Sequence, residues 1–278
     1  GALGKFRPPG TFSFTNGLVE FYALAAAGIA AWLLGGPRPL PKWLWLSSAS
    51  LIVALPVSIS RGLLFKYALT GLGAVAASVL AGRQIKQLAY GAVLLGLLAL
   101  GVSRLPVVQD ARTAFEHRWD TATDNEGEGE GVQGVVTKRF SYSTLDSLNE
   151  ILDYPILGYG LGLGTHFGAQ RVTGKRKFAI AEGLWGSLLG ELGPILGLVG
   201  LAFRVGLAMW LAKLGWACSR RGNTLPLLLG TFAVPLMFMS PTGQPTWLGF
   251  VVLGAGLVLA GCKSPTDHNA GAGLRRRS

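Results

Sequence analysis

Apolar runs of about 20 residues recur along this chain, the length a helix needs to cross a hydrocarbon core of about 30 Å. Half of the residues are hydrophobic and only 14% are charged, which is typical of a chain that lies largely in lipid. The runs are long and uniform and show too little alternation for a β-barrel, whereas a helix satisfies its own backbone hydrogen bonds. We therefore predict an all-α, polytopic transmembrane helical bundle. Its seven predicted spans are residues 17–35, 43–60, 63–81, 88–102, 194–217, 225–240 and 247–261.

A long polar loop separates the predicted spans into two clusters. Residues 106–182 hold 11 of the 14 acidic residues of the chain, so we expect function where this loop meets the ends of the spans. The chain begins at Gly1 and its first predicted span begins at residue 17, and we expect it to be the C-terminal portion of a longer protein. The predicted parts are a four-span part at 1–105, a loop with amphipathic helices at 106–193, a three-span part at 194–262 and a basic tail at 263–278.

The short loops carry a charge asymmetry that predicts the orientation of the chain. Basic residues concentrate in the Arg38/Lys42 loop, the Arg83/Lys86 loop, the Arg220/Arg221 loop and the tail at 275–277. The positive-inside rule assigns such loops to the cytoplasm. The long loop and the uncharged turn at 240–246 are then predicted to lie outside.

The net charge of +11 is explained by this topology and by contact with membrane phospholipids. A nucleic-acid-binding protein would need a clustered basic face, and none is evident in the sequence. Cys218 and Cys262 both fall at predicted cytoplasmic ends, where a structural disulfide is not expected. Two isolated cysteines make no metal motif, and we predict neither a metal nor a cofactor.

Three arginines on the predicted outer side are candidate site residues: Arg7 and Arg61 for substrate binding, and Arg139 for catalysis. The planar fork of a guanidinium binds phosphate oxygens in pairs, so three arginines that face one cavity would suit a diphosphate. The alternative is that each of them flanks a span or extends towards the headgroups. Further basic candidates for the anionic substrate are Arg171, Lys175, Arg176 and Lys177.

The glycine-rich segment 158–164 could bind an anion through successive backbone N–H groups, but a turn at the interface is the favoured interpretation. Its spacing and the helical character of the preceding segment exclude a dinucleotide-binding fingerprint. A helix is predicted from Ala181 to Leu192, and Gly193-Pro194 should bend it into the next span. Glu182, at the start of that helix, could be a general base or a charge that stabilises the helix N-terminus.

Arg204 falls inside the predicted span 194–217. A charge at that depth is costly and usually has a role. The alternative is that the span ends near Arg204 and that the residues after it lie at the membrane surface.

Four segments, in this order, resemble one family of bacterial envelope glycosyltransferases. They are Arg7-Pro-Pro-Gly-Thr-Phe-Ser-Phe-Thr-Asn16 before a span, Ser58-Ile-Ser-Arg-Gly62 between spans, Arg139 followed by Asp153-Tyr-Pro-Ile-Leu-Gly-Tyr-Gly160, and Leu189-Gly-Glu-Leu-Gly193. The family is that of the O-antigen ligases and Wzy-type O-antigen polymerases. The resemblance extends from about Arg7 to the penultimate span and is carried by the order of these segments and their common predicted side.

This resemblance implies a GT-C-like, metal-independent, inverting enzyme in the bacterial inner membrane. Such an enzyme transfers a glycan from undecaprenyl diphosphate to a hydroxyl of a glycan or lipid acceptor. It implies that arginines hold the diphosphate and that a base stands at the start of the helix before the Glu-x-Gly motif. The family has histidine at that point, whereas this chain has Glu182. The departure leaves open whether the chain would be a ligase or a polymerase.

A transporter or flippase of polyprenyl-linked sugars is the alternative from another class. It would also have outward arginines and a polar cavity, although repeated halves with broken helices are common in transporters and no clear repeat is evident here. A structural membrane subunit without activity is a third interpretation.

Overall fold

The structure is a computed structural model of the chain. It describes residues 9–12, 15–35, 41–58, 60–82, 96, 100–101, 103–104, 108–109, 112–113, 147–149, 151–174, 183–241 and 243–263.

Every regular element in these ranges is helical, and they contain no strand. The prediction of an all-α protein is therefore confirmed for the part of the chain that the structure describes. Short turns lie at Ser147–Asn149 and Ile151–Asp153. The helices are α1 Thr15–Leu34, α2 Lys42–Val57, α3 Arg61–Leu80, α4 His166–Thr173, α5 Leu184–Arg220, α6 Leu225–Met239 and α7 Pro245–Cys262.

Four of these helices are long and apolar enough to cross a membrane, namely α1, α3, α5 and α7. Helices α2 and α6 are shorter but apolar, and both coincide with predicted spans. The predicted span 88–102 lies mostly outside the described residues. The chain is thus a helical membrane protein by the length and composition of its helices, and the total of seven spans stays a prediction.

Helix α5 is a hairpin of two helical arms. Gly193 interrupts it with a φ of 78° and a ψ of 172°, and Pro194 follows. Residues eight apart in a straight helix are separated by about 12 Å, yet a Cβ added at Gly197 would lie 2.9 Å from the Cα atom of Leu189. Leu184 and Leu201 also share one buried cluster. The first arm, which ends at Leu192, therefore folds back along the start of the second. The predicted bend at Gly193-Pro194 is confirmed, and it is a reversal of direction.

Helix α6 lies at the centre of the bundle. Its Phe232, Ala233 and Leu236 are almost completely buried in a cluster that also contains residues of α1, α5 and α7. Gly254 of α7 allows a close approach to Phe232, as small residues commonly do between membrane helices. On the outer faces, large apolar side chains such as Leu72 and Phe203 are exposed. A bundle with this distribution suits an apolar surrounding.

Contacts along α3 and α6 show that these helices are antiparallel. Thr70 contacts Thr231 with 3.3 Å between their hydroxyl oxygens, whereas Ala77 shares a buried cluster with Leu228. Arg61, which begins α3, therefore lies at the same end of the bundle as Ser240, which follows α6. Helix α7 is antiparallel to α6, because Phe232 contacts Phe250 near the start of α7 and Asn223 bonds to Gly261 near its end. We call the two ends the Ser240 end and the Cys262 end.

Candidate functional site

The glycine-rich segment packs on the tip of the α5 hairpin. The backbone N–H of Tyr159 donates to the carbonyl oxygen of Gly190 at 2.8 Å, and that of Gly160 donates to the carbonyl oxygen of Glu191 at 3.2 Å. These carbonyls are at the C-terminal end of the first arm, where a helix leaves carbonyl groups without internal partners. The segment therefore caps a helix, and these two N–H groups do not face an anion.

Two glycines make this close approach possible. Gly158 has a φ of 70° and Gly193 a φ of 78°, in the left-handed region that favours glycine. A Cβ atom at Gly158 would overlap the carbonyl of Glu191, and one at Gly193 would overlap the carbonyl of Ile156. The turn at 158–160 and the hairpin tip thus fit each other backbone to backbone.

Glu191 joins the same segment through its side chain. Its Oε1 accepts a hydrogen bond from the backbone N–H of Gly164 at 2.8 Å. A third N–H group of the glycine-rich segment is thereby also satisfied within the protein. This contact makes Glu191 a structural residue that positions the segment.

Helix α4 follows directly and carries Arg171. Thr165 caps its N-terminus, since its Oγ1 accepts from the backbone N–H of Gly168 at 3.0 Å, and Gly174 ends the helix in the left-handed conformation. Arg171 lies in the last turn of α4 and is exposed. Together with Phe167 and the glycine-rich segment, it lines an open cavity of about 510 Å³. The walls of the cavity are mostly apolar, and Arg171 is the one cation among its described lining residues. Such a cavity can accommodate an amphiphile with an anionic head.

This cavity belongs to the Ser240 end of the bundle. Thr165 lies against Gly243 in the turn between α6 and α7. The indole Nε1 of Trp185, at the start of α5, donates to the carbonyl of Phe238 near the end of α6 at 3.3 Å. The start of α5, the cavity and Arg61 are therefore all found at one end of the bundle.

Arg204 lies at this end as well. Its Nη2 donates to the hydroxyl oxygen of Ser240 at 3.3 Å, while its Nη1 is buried and has no hydrogen-bond partner among the described residues. Helix α5 continues from Arg204 to Arg220, so the helix does not end at Arg204, and the position where the membrane span ends stays a prediction. Arg204 adds a cation level with the end of α6.

A buried ion pair between α1 and α3 was missed by the sequence analysis. The Nζ of Lys66 lies 2.6 Å from Oε2 of Glu20, and the two side chains are only 16% and 2% exposed. The same ammonium lies 5.9 Å from the centre of the Phe232 ring. A signal was available in the sequence, because each of two parallel spans carries one charge at a similar distance from its start.

Of the predicted site residues, the structure describes Arg61 and Arg171 and assigns both to the Ser240 end. The remaining candidates lie outside the described residues: Arg7, Arg139, Lys175, Arg176, Lys177 and Glu182. The polar loop at 106–182 contains two histidines: His117 also lies outside the described residues, and His166 begins α4. Within the described part of the chain, no group of three potential metal ligands occurs.

Comparison of the chain with known proteins finds no matching family model, no similar curated protein and no similar solved structure. The functional assignment therefore rests on the residues of this chain and on the resemblance of its four segments.

Proposed function

We propose that this protein is a membrane glycosyltransferase that moves a glycan from undecaprenyl diphosphate to an acceptor hydroxyl. The acceptor is a second glycan or a lipid-anchored glycan, which corresponds to polymerase or ligase activity. The proposed enzyme has a GT-C-like bundle, needs no metal and works on the extracytoplasmic face of the bacterial inner membrane.

The observation that best supports this proposal is that three arginines and a cavity belong to the same end of the bundle, the Ser240 end. Arg61, Arg171 and Arg204 come from three different helices and all belong to this end. The donor is a membrane-anchored dianion, so its diphosphate has to be met where the spans end, by groups that carry positive charge. Two of the four segments behind the family resemblance, 153–160 and 189–193, also contact one another.

The proposed reaction is a displacement at the anomeric carbon. The acceptor oxygen attacks this carbon from the side opposite the diphosphate, so the configuration inverts. The bond from the anomeric carbon to the diphosphate oxygen breaks, and the arginines stabilise the charge that grows on the leaving group. Glu182 receives the acceptor proton as the new glycosidic bond forms.

The role of Glu182 can be tested by changing it to glutamine, which keeps the size of the side chain but cannot accept the proton. Loss of a general base typically lowers a rate by about 10²–10⁴-fold. Single-turnover transfer should therefore fall by this factor in Glu182→Gln, while donor binding, measured separately, should be retained. A variant that transfers at the wild-type rate would show that the base is another group, with His166 the next residue to change.

A transporter of polyprenyl-linked sugars is the second candidate, and two observations favour it. Helix α5 is broken at Gly193, and broken helices are common at transporter binding sites. The Glu20–Lys66 pair is buried between two helices long enough to span, and ionisable residues inside a membrane often mark ion or proton pathways. The glycosyltransferase is preferred because the break in α5 is filled by the 158–160 turn and its two N–H donors.

A further inference from the structure

Cys218 and Cys262 are the only cysteines of the chain, and the fold brings them together at the Cys262 end. They are 44 residues apart in sequence, yet their Sγ atoms are separated by only 2.9 Å. Both are free thiols. A disulfide bond is about 2.05 Å long, so the two sulfur atoms have little distance left to cover before they can bond.

The surrounding backbone already holds the two positions in register. The side-chain amide of Asn223 donates to the carbonyl of Gly261 at 2.7 Å, and the backbone N–H of Asn223 donates to the carbonyl of Cys218 at 3.1 Å. One residue thus connects the end of α5 to the last turn of α7. A covalent bond between the sulfurs would reinforce a junction that exists without it.

The two cysteines are unsuited to metal binding, which is the other common role of neighbouring thiols. No third histidine, cysteine, aspartate or glutamate joins them in a potential metal-binding group among the described residues. Structural zinc sites need four such ligands. Two thiols alone at contact distance are instead the arrangement needed for a reversible disulfide.

We propose that Cys218 and Cys262 form an oxidisable dithiol, whose disulfide locks α5 to α7 at the Cys262 end. The co-reactant is a low-molecular-weight disulfide such as glutathione disulfide. Cys262 is the more exposed of the two residues, whereas Cys218 is only 8% exposed. The thiolate of Cys262 therefore attacks the disulfide first and releases one glutathione thiolate.

The second step forms the intramolecular disulfide. The thiolate of Cys218 attacks the protein sulfur of the mixed disulfide and displaces the second glutathione. In total, two protein thiols and one glutathione disulfide give one protein disulfide and two glutathione thiols. If the Cys262 end faces the cytoplasm, as the charge asymmetry of the short loops predicts, cellular thiols keep the pair reduced and the lock closes only under oxidation.

The test is alkylation of the full-length protein in detergent, followed by intact mass spectrometry. The reduced protein, denatured and treated with N-ethylmaleimide, should gain two adducts. After prior incubation with glutathione disulfide it should gain none, and its mass should be lower than that of the reduced, unalkylated chain by two hydrogens. Treatment with a reductant should restore both adducts. The oxidised protein should also unfold at a higher temperature than the reduced protein.

A relocated cysteine provides the matched control. Ala260 is exposed on α7, and two residues along a helix correspond to a rotation of about 200°. The double variant Cys262→Ala/Ala260→Cys therefore keeps two thiols in the chain but moves one to another face. It should form no intramolecular disulfide at the same oxidant concentration.

Two results would overturn the proposal. One is a wild-type protein that keeps two alkylatable thiols after oxidation, or that oxidises only between two molecules or to separate glutathione adducts. The other is an intramolecular disulfide that forms equally fast in the relocated variant. Neither result would bear on the glycosyltransferase proposal, because the pair lies at the opposite end of the bundle from the cavity.

Discussion

Glu20 and Lys66 form an ion pair that is buried between α1 and α3. Both side chains leave water, which is costly, and the 2.6 Å contact between them recovers part of that cost. A well-packed apolar pair of similar volume is often equally stable or more stable, whereas removal of one partner leaves an uncompensated buried charge. The two kinds of substitution should therefore have very different effects.

Glu20→Gln should destabilise the bundle by about 3–5 kcal/mol, because it leaves the ammonium of Lys66 without its counter-charge. The double variant Glu20→Met/Lys66→Met should recover most of that loss. Unfolding of the purified protein in mixed detergent measures both values. Equal stability of Glu20→Gln and the wild type would mean that the pair is open to water in the membrane.

Arg61 begins α3 at the Ser240 end and is the described member of the predicted arginine set. Arg61→Lys keeps the charge but removes the planar fork. Loss of charge-assisted hydrogen bonds worth about 1.5–3 kcal/mol should lower the transfer rate by about 10- to 100-fold. Arg221→Lys, at the opposite end of the bundle, is the control and should be unchanged. Equal transfer rates in the two variants would make Arg61 a residue that only flanks its span.

Sequence reasoning reached some of these residues and missed others for a physical reason. A glycine followed by a proline interrupts a helix locally, so the break at Gly193 could be predicted from these two residues. The contact of Tyr159 with Gly190, at the end of the first arm, could not be predicted, because it forms only after the chain between the two residues has folded. The contact between Cys218 and Cys262 depends in the same way on the packing of α5 against α7.

The α5 hairpin positions the candidate site, since its tip carries the glycine-rich segment and its second arm carries Arg204. Its first arm is held by a buried cluster of Leu184, Leu188, Leu189 and Leu201. The two arms separate unless the chain can reverse within one residue, and Gly193 allows this with its positive φ. Gly193 is therefore required for the fold of α5 rather than for the proposed reaction.

Gly193→Ala should destabilise the protein by about 1–3 kcal/mol from backbone strain alone, and the overlap with the carbonyl of Ile156 should displace the 158–160 turn. Gly206→Ala is the matched control in the same helix, because a Cβ at Gly206 meets no atom within 4 Å. It should be neutral or slightly stabilising, as alanine favours a helix over glycine by about 1 kcal/mol. Unfolding and protease sensitivity at 158–160 measure both variants, and equal behaviour would contradict the hairpin.

The helices themselves were largely predictable, because their signal is local. Predicted spans and observed helices coincide within a few residues for α1, α2, α3, α6 and α7. The first arm of α5 begins at Leu184 rather than at the predicted Ala181. Hydropathy does not indicate how two helical segments pack, so the packing of the two arms of α5 could not be predicted from the sequence.

The bundle as a whole has two chemically different ends. The Ser240 end carries the cavity, Arg61 and Arg204, while the Cys262 end carries the cysteine pair and the Arg220/Arg221 loop. The positive-inside rule predicts that the Cys262 end is cytoplasmic. The proposed chemistry depends on this orientation, since the donor glycan has to be reached from outside.

Single cysteines introduced into a cysteine-free variant should report the orientation. Leu161→Cys, at a position that is 79% exposed, should react with a membrane-impermeant maleimide added to intact cells. Lys263→Cys, at the Cys262 end, should react only after the cells are opened. The reverse pattern would contradict the orientation and, with it, the proposed mechanism.

The most direct test of the proposed glycosyltransferase activity is an assay of glycan transfer by the purified protein in proteoliposomes. An undecaprenyl diphosphate-linked oligosaccharide is supplied alone, to detect polymerisation, and then with a lipid-anchored glycan, to detect ligation. We predict a lengthened or ligated glycan together with one released undecaprenyl diphosphate for each glycosidic bond formed. An intact donor that moves from one leaflet to the other, or a donor that neither moves nor reacts with any acceptor, would contradict the account.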